Sequence, residues 1–182
     1  MRKIFIGFIL SGILIACNNN KETASNEPKT TDDSTTKTTQ QSEFADPKYV
    51  DMGKQRLQQF QSGDIDTWVG QFADNAVYLW SAGDSLAGKK AITDYWKDRR
   101  GKVIDSITFS NDIWLPLKVN YSQRGPDIRG IWLLSWYQVD AKYKTGKKLT
   151  FWTHTDFHFN SNDQIDRVIQ YIDRAPIMAA TK

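Results

Sequence analysis

The chain changes its hydrophobic rhythm three times. Residues 4–15 form a nearly unbroken apolar run. Residues 18–45 carry Phe44 as their only large apolar side chain. From Tyr49 onward, Tyr49, Val50, Met52, Leu57 and Phe60 recur at the spacing of an amphipathic helix. Asp46-Pro47 opens that helix with a capping side chain and a proline in the first turn, and Gly63 closes it. Asp64 can cap a second helix with Ile65, Trp68, Val69 and Phe72 as its apolar positions. Residues 76–80 read as a short strand, 81–87 as a loop, and 88–100 as a third helix with Ala91, Ile92, Tyr95 and Trp96 on one face. After Gly101 the pattern is that of strands. Residues 103–109, 113–121, 131–143, 149–159 and 164–173 are the predicted strands, with Pro116 marking a bulge or an edge position. Gly125-Pro126-Asp127 signals a turn, and residues 144–147 and 160–163 signal hairpins. Three helices followed by a meander of long strands is an α+β arrangement.

Length and composition sharpen this division. The 182 residues allow one domain with tails. Arg2 and Lys3 precede the apolar run, whose dozen residues fall short of the roughly 20 that a bilayer core requires. It fits the central region of a secretory signal. The run ends Leu14-Ile15-Ala16-Cys17, which resembles the bacterial lipobox. That resemblance implies a signal peptide over residues 1–16 and acylation of Cys17, palmitate included, as the new N-terminus. The partner is then a lipid bilayer, and Asn18 leans toward the outer rather than the inner membrane of a bacterial envelope. As the sole cysteine, Cys17 excludes an intramolecular disulfide and a multi-cysteine zinc site.

Residues 17–45 read as a lipidated cysteine followed by a disordered tether, since so polar a segment cannot bury enough apolar surface to offset its ordering entropy. As a coil it would span roughly 30 Å. Residues 46–182 form the folded domain. Removing Arg2 and Lys3 from the 24 basic residues leaves 22 against 21 acidic ones, a near-neutral balance that gives no reason to expect a nucleic-acid partner.

The order of several motifs in that domain resembles a known family. Gly63-Asp64, Phe72-Ala73-Asp74-Asn75-Ala76-Val77, Gly88-Lys89-Lys90-Ala91-Ile92, and Asp156-Phe157-His158-Phe159 through Gln164-Ile165 look like NTF2-like proteins of the SnoaL-like type. The resemblance implies a strongly curved, mainly antiparallel sheet wrapped as a cone over three N-terminal helices, with a pocket at one open end.

Hairpin register then predicts the two faces of the sheet. A two-residue Thr145-Gly146 turn places Tyr137 opposite His154 and Ser135 opposite Asp156. A four-residue turn over 160–163 places Asp156 opposite Arg167. One face then carries Ser135, Tyr137, Trp152, His154, Asp156, His158 and Arg167. The more apolar face carries Trp132, Leu134, Trp136, Thr153, Thr155, Phe157, Val168, Gln170 and Ile172, and lines the cone. A slip of one residue in either turn exchanges the faces.

Two chemistries compete for this sheet. His154 and Asp156, with Tyr137, could serve general acid–base catalysis in a SnoaL-like isomerase, cyclase or dehydratase. The opposing assignment is an outer face, with Asp156 and Arg167 as a cross-strand ion pair. A metal on His154, Asp156 and His158 is disfavoured, because alternate residues of one strand spread over about 13 Å. Within the resemblance, Arg56, Trp80 and Thr155 fall where ketosteroid isomerases have their tyrosine, base and oxyanion acid, so that mechanism is disfavoured. What remains is an aromatic pocket of Arg56, Trp80, Tyr95, Trp96, Trp136, Thr153, Thr155 and Gln170, suited to a small, partly apolar or anionic ligand. No cofactor is expected. A homodimer or protein contact through the outer sheet face is the third expectation.

Overall fold

In the computed structural model, which describes residues 40–121 and 129–182, the first helix, α1 (Lys48–Ser62), buries Tyr49, Gly53, Arg56 and Phe60. These positions form one stripe along the helix. Arg56 therefore occupies a place where the stripe calls for an apolar side chain. The Lys48 N–H donates to the Asp46 carboxylate at 2.8 Å, as the helix-start signal predicts. Gly63 stops α1 in a left-handed conformation (φ 85°), where a side chain would be strained. Asp64 accepts from the Thr67 N–H at 3.1 Å and starts α2 (Ile65–Gly70), which holds its carboxyl below the usual range. Helix α3 (Lys89–Asp98) runs into a π-helical turn, Arg99–Val103. From that turn the Arg100 guanidinium returns to the Phe60 and Gln61 carbonyls at 3.2 and 3.3 Å, adding donors to the last carbonyls of α1.

Among the described residues seven strands form one mixed sheet: β1 (Ser42–Phe44), β2 (Phe72–Trp80), β3 (Ser85–Ala87), β4 (Ile104–Val119), β5 (Gly130–Tyr143), β6 (Lys148–Phe159) and β7 (Ile165–Tyr171). Their spatial order is β1-β4-β5-β6-β7-β2-β3, and only β2 and β7 run parallel. Helix α1 lies so close to this sheet that a Cβ on Gly53 would sit 2.5 Å from the Trp114 ring and 2.8 Å from Leu133. Gly53→Ala should therefore destabilise the fold by about 1–2 kcal/mol, even though alanine favours helix by roughly 1 kcal/mol. A lower urea midpoint would show it, and an unchanged or higher one would refute it.

Several elements differ from the sequence-based expectation. The signal segment, Cys17, residues 18–39 and the Gly125-Pro126-Asp127 turn lie outside the described residues. Strand β1 occupies the end of the expected tether, pairing Ser42–Phe44 with Leu117–Val119 of β4. The two strands expected on either side of residue 110 are one, bent at a bulge between Ser110 and Ile113 where Asn111 has φ 54°. Pro116 is tolerated there because its carbonyl accepts from the Ala45 N–H just past the end of β1, so its missing N–H removes no ladder bond. β2 starts at Phe72 rather than Ala76, and β3 lies inside the expected loop. Among the described residues the domain has four α-helices rather than three N-terminal ones. The fourth, α4 (Ala175–Ala180), has a proline at its start and begins where the Asp173 carboxylate accepts the Ala175 N–H at 3.0 Å.

The β5–β6 hairpin carries the most consequential correction. The Tyr143 N–H bonds Lys147 O, so the loop is the three residues Lys144, Thr145 and Gly146, with Gly146 left-handed at φ 86°. The register shifts by one: Tyr137 faces Thr153, Ser135 faces Thr155 and Trp136 faces His154. The faces of β5 are thereby exchanged. Between β6 and β7 the turn closes on Asn160 and Gln164 and a bulge follows between His158 and Phe159, each shifting the pairing by one; the total of two preserves the expected faces. Asp156 lies opposite Ile169, and Arg167 opposite His158, so the expected Asp156–Arg167 cross-strand pair does not form.

Candidate functional site

Helices α1, α2 and α3, the π-helical turn, α4 and the inner faces of β2, β4, β5, β6 and β7 enclose a cavity of about 140 Å³. Its wall is aromatic: Phe60, Trp68, Tyr78, Trp80, Tyr95, Trp96, Phe109, Tyr137, Tyr143, Phe151 and Phe157 all contribute. The rings meet edge-to-face or tilted, as in Phe60–Trp96 at 5.1 Å and Tyr95–Trp96 at 5.1 Å. Such contacts add to area burial and keep the wall rigid. The deep end holds Arg56, 1% exposed. The outer end is marked by Arg99, Arg174 and Met178, the last 53% exposed. Arg174 lies over the Trp80 ring at 5.1 Å and is held by Asp84 at 2.5 Å.

Six of the eight sequence-predicted pocket residues line this cavity: Arg56, Trp80, Tyr95, Trp96, Thr155 and Gln170. Thr153 is buried beside it, donating to Tyr171 O at 3.1 Å and lying 3.5 Å from the Gln170 amide nitrogen. Trp136 is the correction. The hairpin slip turns it to the outer face, where it packs on His154 with ring centroids 4.3 Å apart. The same slip brings Tyr137 inward, its hydroxyl 3.0 Å from the Thr155 hydroxyl. A glycine ending a three-residue loop was the sequence signal for the true register. Nothing comparable announced Arg99 or Arg174, which reach the cavity from a π-helical turn and from the residue before α4.

Most polar atoms in the wall are mutually satisfied. Tyr78 Oη and Trp80 Nε1 both donate to Gln170 Oε1, at 2.9 and 3.1 Å. Arg56 is the exception. Its Nη1 donates to Trp68 O at 3.0 Å and Gln71 Oε1 at 3.1 Å, while Nε and Nη2 are buried without partners. The guanidinium lies against the Trp68, Phe72 and Phe157 rings at 4.7, 4.6 and 5.4 Å. Those π faces offset part of the desolvation. Burial with no carboxylate nearby lowers its pKa to about 9. Trp96 Nε1 is likewise buried without a partner. Burial also raises the pKa of Tyr78 and Tyr137 above the ordinary phenol range, so both are neutral donors at neutral pH.

His154 and Asp156 stand on the opposite face of β6. His154 Nε2 lies 2.7 Å from Asp156 Oδ1, but without hydrogen-bond alignment, and His154 Nδ1 is buried with no partner. Burial raises the Asp156 pKa, and His154 pulls against that rise. A His–Asp base needs one ring nitrogen on the carboxylate and the other facing substrate. Here the second nitrogen is enclosed between Trp136 and Tyr171 and not in the cavity. Tyr137 is therefore separated from the other two residues of the expected triad by the thickness of the sheet. His158 is occupied elsewhere, with Nδ1 2.5 Å from Asp166 and Nε2 2.9 Å from Arg129 O. Among the described residues no three His, Cys, Asp or Glu side chains converge as metal ligands would, and no helix is long and apolar enough to cross a membrane.

No protein-family model and no curated protein matches the chain. Solved structures do match. A protein put forward as a polyketide cyclase from Xanthomonas campestris aligns with TM-score 0.57 and 15% identity, over 73% of this chain and 96% of the other. An NTF2-like protein of unknown function from Burkholderia pseudomallei aligns with TM-score 0.57 and 10% identity, over 73% and 96%. A protein with a ketosteroid isomerase-like fold from Catenulispora acidiphila, solved in complex with trimethylamine, aligns with TM-score 0.51 and 10% identity, over 71% and 91%. At such identities the likeness is one of fold. The chain has the α+β NTF2-like fold with a curved, seven-stranded mixed sheet.

Proposed function

We propose that the chain is a lipid-anchored binding module of a bacterial envelope whose aromatic cavity holds a small, partly apolar or anionic molecule. The cavity carries this reading: about 140 Å³ walled by rigid rings, with a buried cation at its deep end that no group among the described residues neutralises. Rigid aromatic walls with few convergent polar groups are the usual build of a small-molecule site. The lipobox-like Leu14-Ile15-Ala16-Cys17 supports the anchor, with the outer membrane favoured by Asn18. The Catenulispora neighbour was solved with an amine. Three arginines lining this cavity argue against a cationic guest here.

Catalysis by the His154–Asp156 pair loses support, since the pair has no access to the cavity that contains Tyr137. The outer sheet face instead supports the homodimer expected from the sequence. Ile113, Trp152 and Tyr171 are 57, 52 and 47% exposed there, and a second copy could cover them symmetrically.

The binding test is tryptophan fluorescence of the purified chain titrated with one-ring aromatic compounds. The response should shrink in Trp80→Phe and persist in Trp136→Phe. Equal loss in both, or no saturable response, would defeat the reading. The anchor is tested by labelled palmitate incorporation and membrane fractionation, both of which Cys17→Ser should abolish. The dimer is tested by sedimentation, where Trp152→Lys should leave a monomer.

A further inference from the structure

The free edge of Arg56 says more about the guest than the cavity's size does. Within a guanidinium, the Nε–H and one Nη2–H are parallel and form a fork that matches the two oxygens of a carboxylate. In this protein Nη1 is already committed to Trp68 O and Gln71 Oε1, and the two nitrogens left without partners are the pair that makes the fork. The head lies among cavity walls, with its central carbon 4.7 Å from the Trp68 ring and 5.4 Å from that of Phe157.

Three further observations agree. The cavity is lined by Arg56, Arg99 and Arg174 and by no aspartate or glutamate among the described residues. The third unpartnered polar atom of its wall, Trp96 Nε1, is also a donor, whereas the acceptor Gln170 Oε1 already takes two hydrogen bonds. A guest must therefore bring acceptors and negative charge. A water molecule could accept these hydrogen bonds but would leave the buried cation uncompensated. Finally, a dry cavity of about 150 Å³ accommodates a benzene ring, and this one measures about 140 Å³.

We infer that the guest is a monocarboxylate with an apolar body of about one ring, its two oxygens on the Nε–Nη2 edge of Arg56 and its body against Trp80, Tyr95 and Trp96. This rests on the binding reading above. Arg99 at the outer end would draw such an anion in from solution, whereas the Arg174 charge is met by Asp84.

The test compares benzoate with its neutral isostere benzamide on the full chain in detergent, by calorimetry at neutral pH. Benzoate should bind at least about tenfold more tightly than benzamide, a difference of about 1.4 kcal/mol. In Arg56→Lys, which keeps the charge but loses the fork, that preference should fall to about threefold or less. Trp96→Phe, which keeps the wall and removes one donor, should weaken benzoate more than benzamide. Benzamide binding as tightly as benzoate in the unaltered protein overturns the carboxylate assignment and leaves the pocket reading standing. If neither compound binds, both fall. The wild-type comparison decides the matter even if a variant fails to fold.

Discussion

Replacing Arg56 by methionine is expected to raise the thermal unfolding midpoint of this protein, by roughly 3–12 °C for a gain of about 1–4 kcal/mol. The sign follows from burial. The guanidinium is 1% exposed and has no anionic partner, so the folded state carries a desolvation cost that the unfolded state does not. Methionine fills a similar volume, is flexible, and packs well against the Trp68, Phe72 and Phe157 rings that now surround the cation. Against this stands the loss of the hydrogen bonds to Trp68 O and Gln71 Oε1 and of the cation–π contacts, each worth about 1 kcal/mol. Calorimetry of the two proteins side by side measures the balance. A lower midpoint in the variant would show that the aromatic cage outweighs desolvation.

The pH dependence supplies a second check on the same group. Burial lowers the folded pKa of Arg56 from its ordinary, strongly basic value to about 9. The folded state thus gives up its proton more readily than the unfolded state does. The destabilisation is complete below about pH 9 and is relieved as pH rises above it. The stability gap between Arg56→Met and the parent should accordingly be constant through neutral pH and narrow above about pH 9. Comparing the two proteins cancels the lysines and the tyrosines remote from residue 56; Tyr78 and Tyr137, whose pKa values the Arg56 charge lowers, are held above the ordinary phenol range by burial. A gap that widens with alkali would contradict the assignment. A protein that keeps a destabilising charge in its core, where an apolar side chain would serve packing better, fits a site shaped by function rather than by stability.

Phe72→Ala should have the largest effect of opposite sign, a loss of about 3–5 kcal/mol. Phe72 is 0% exposed and sits where β2 begins, beside Ile165 of β7 and 5.1 Å from the Trp68 ring. Truncation removes a full ring from water-free surroundings, leaves a cavity and takes away one wall of the Arg56 cage. Since a domain of this size has about 5–15 kcal/mol of total stability, much of it would go. The check is urea unfolding, with a lower midpoint at unchanged slope. A loss below about 1 kcal/mol would mean that the neighbouring rings collapse into the space.

The architecture was largely legible. Tyr49, Phe60, Trp68 and Ile92 lie on helix faces that the apolar spacing picked out, and Asp64 and Gly63 punctuate the helices as their chemistry requires. Helix α4 was missed although Asp173 and Pro176 mark its start, because six residues are too few for a periodic signal. The pocket was legible on the strands whose register came out with the correct parity. Thr155 and Gln170 face inward as expected, since a shift of two residues preserves alternation. It was misread on β5, where a shift of one exchanged Trp136 for Tyr137. Which shift occurs turns on Gly146, whose left-handed conformation ends a three-residue loop, and the apolar alternation alone does not separate a two-residue from a three-residue loop.

By itself, then, the sequence determined an apolar run before Cys17, the polar segment after it, and an α+β domain rich in rings. Local periodicity and turn chemistry suffice for those, because each depends on residues a few positions apart. Only the tertiary structure decided that His154 and Asp156 lie behind the sheet, that Tyr137 enters the cavity, and that Arg56 keeps one free fork among aromatic faces. Those outcomes depend on strand register and on groups brought together from distant parts of the chain: Arg56 from α1, Phe157 from β6 and Arg174 from the segment before α4. A side chain's partners, and hence its charge and its chemistry, are set by that convergence and not by its neighbours in sequence.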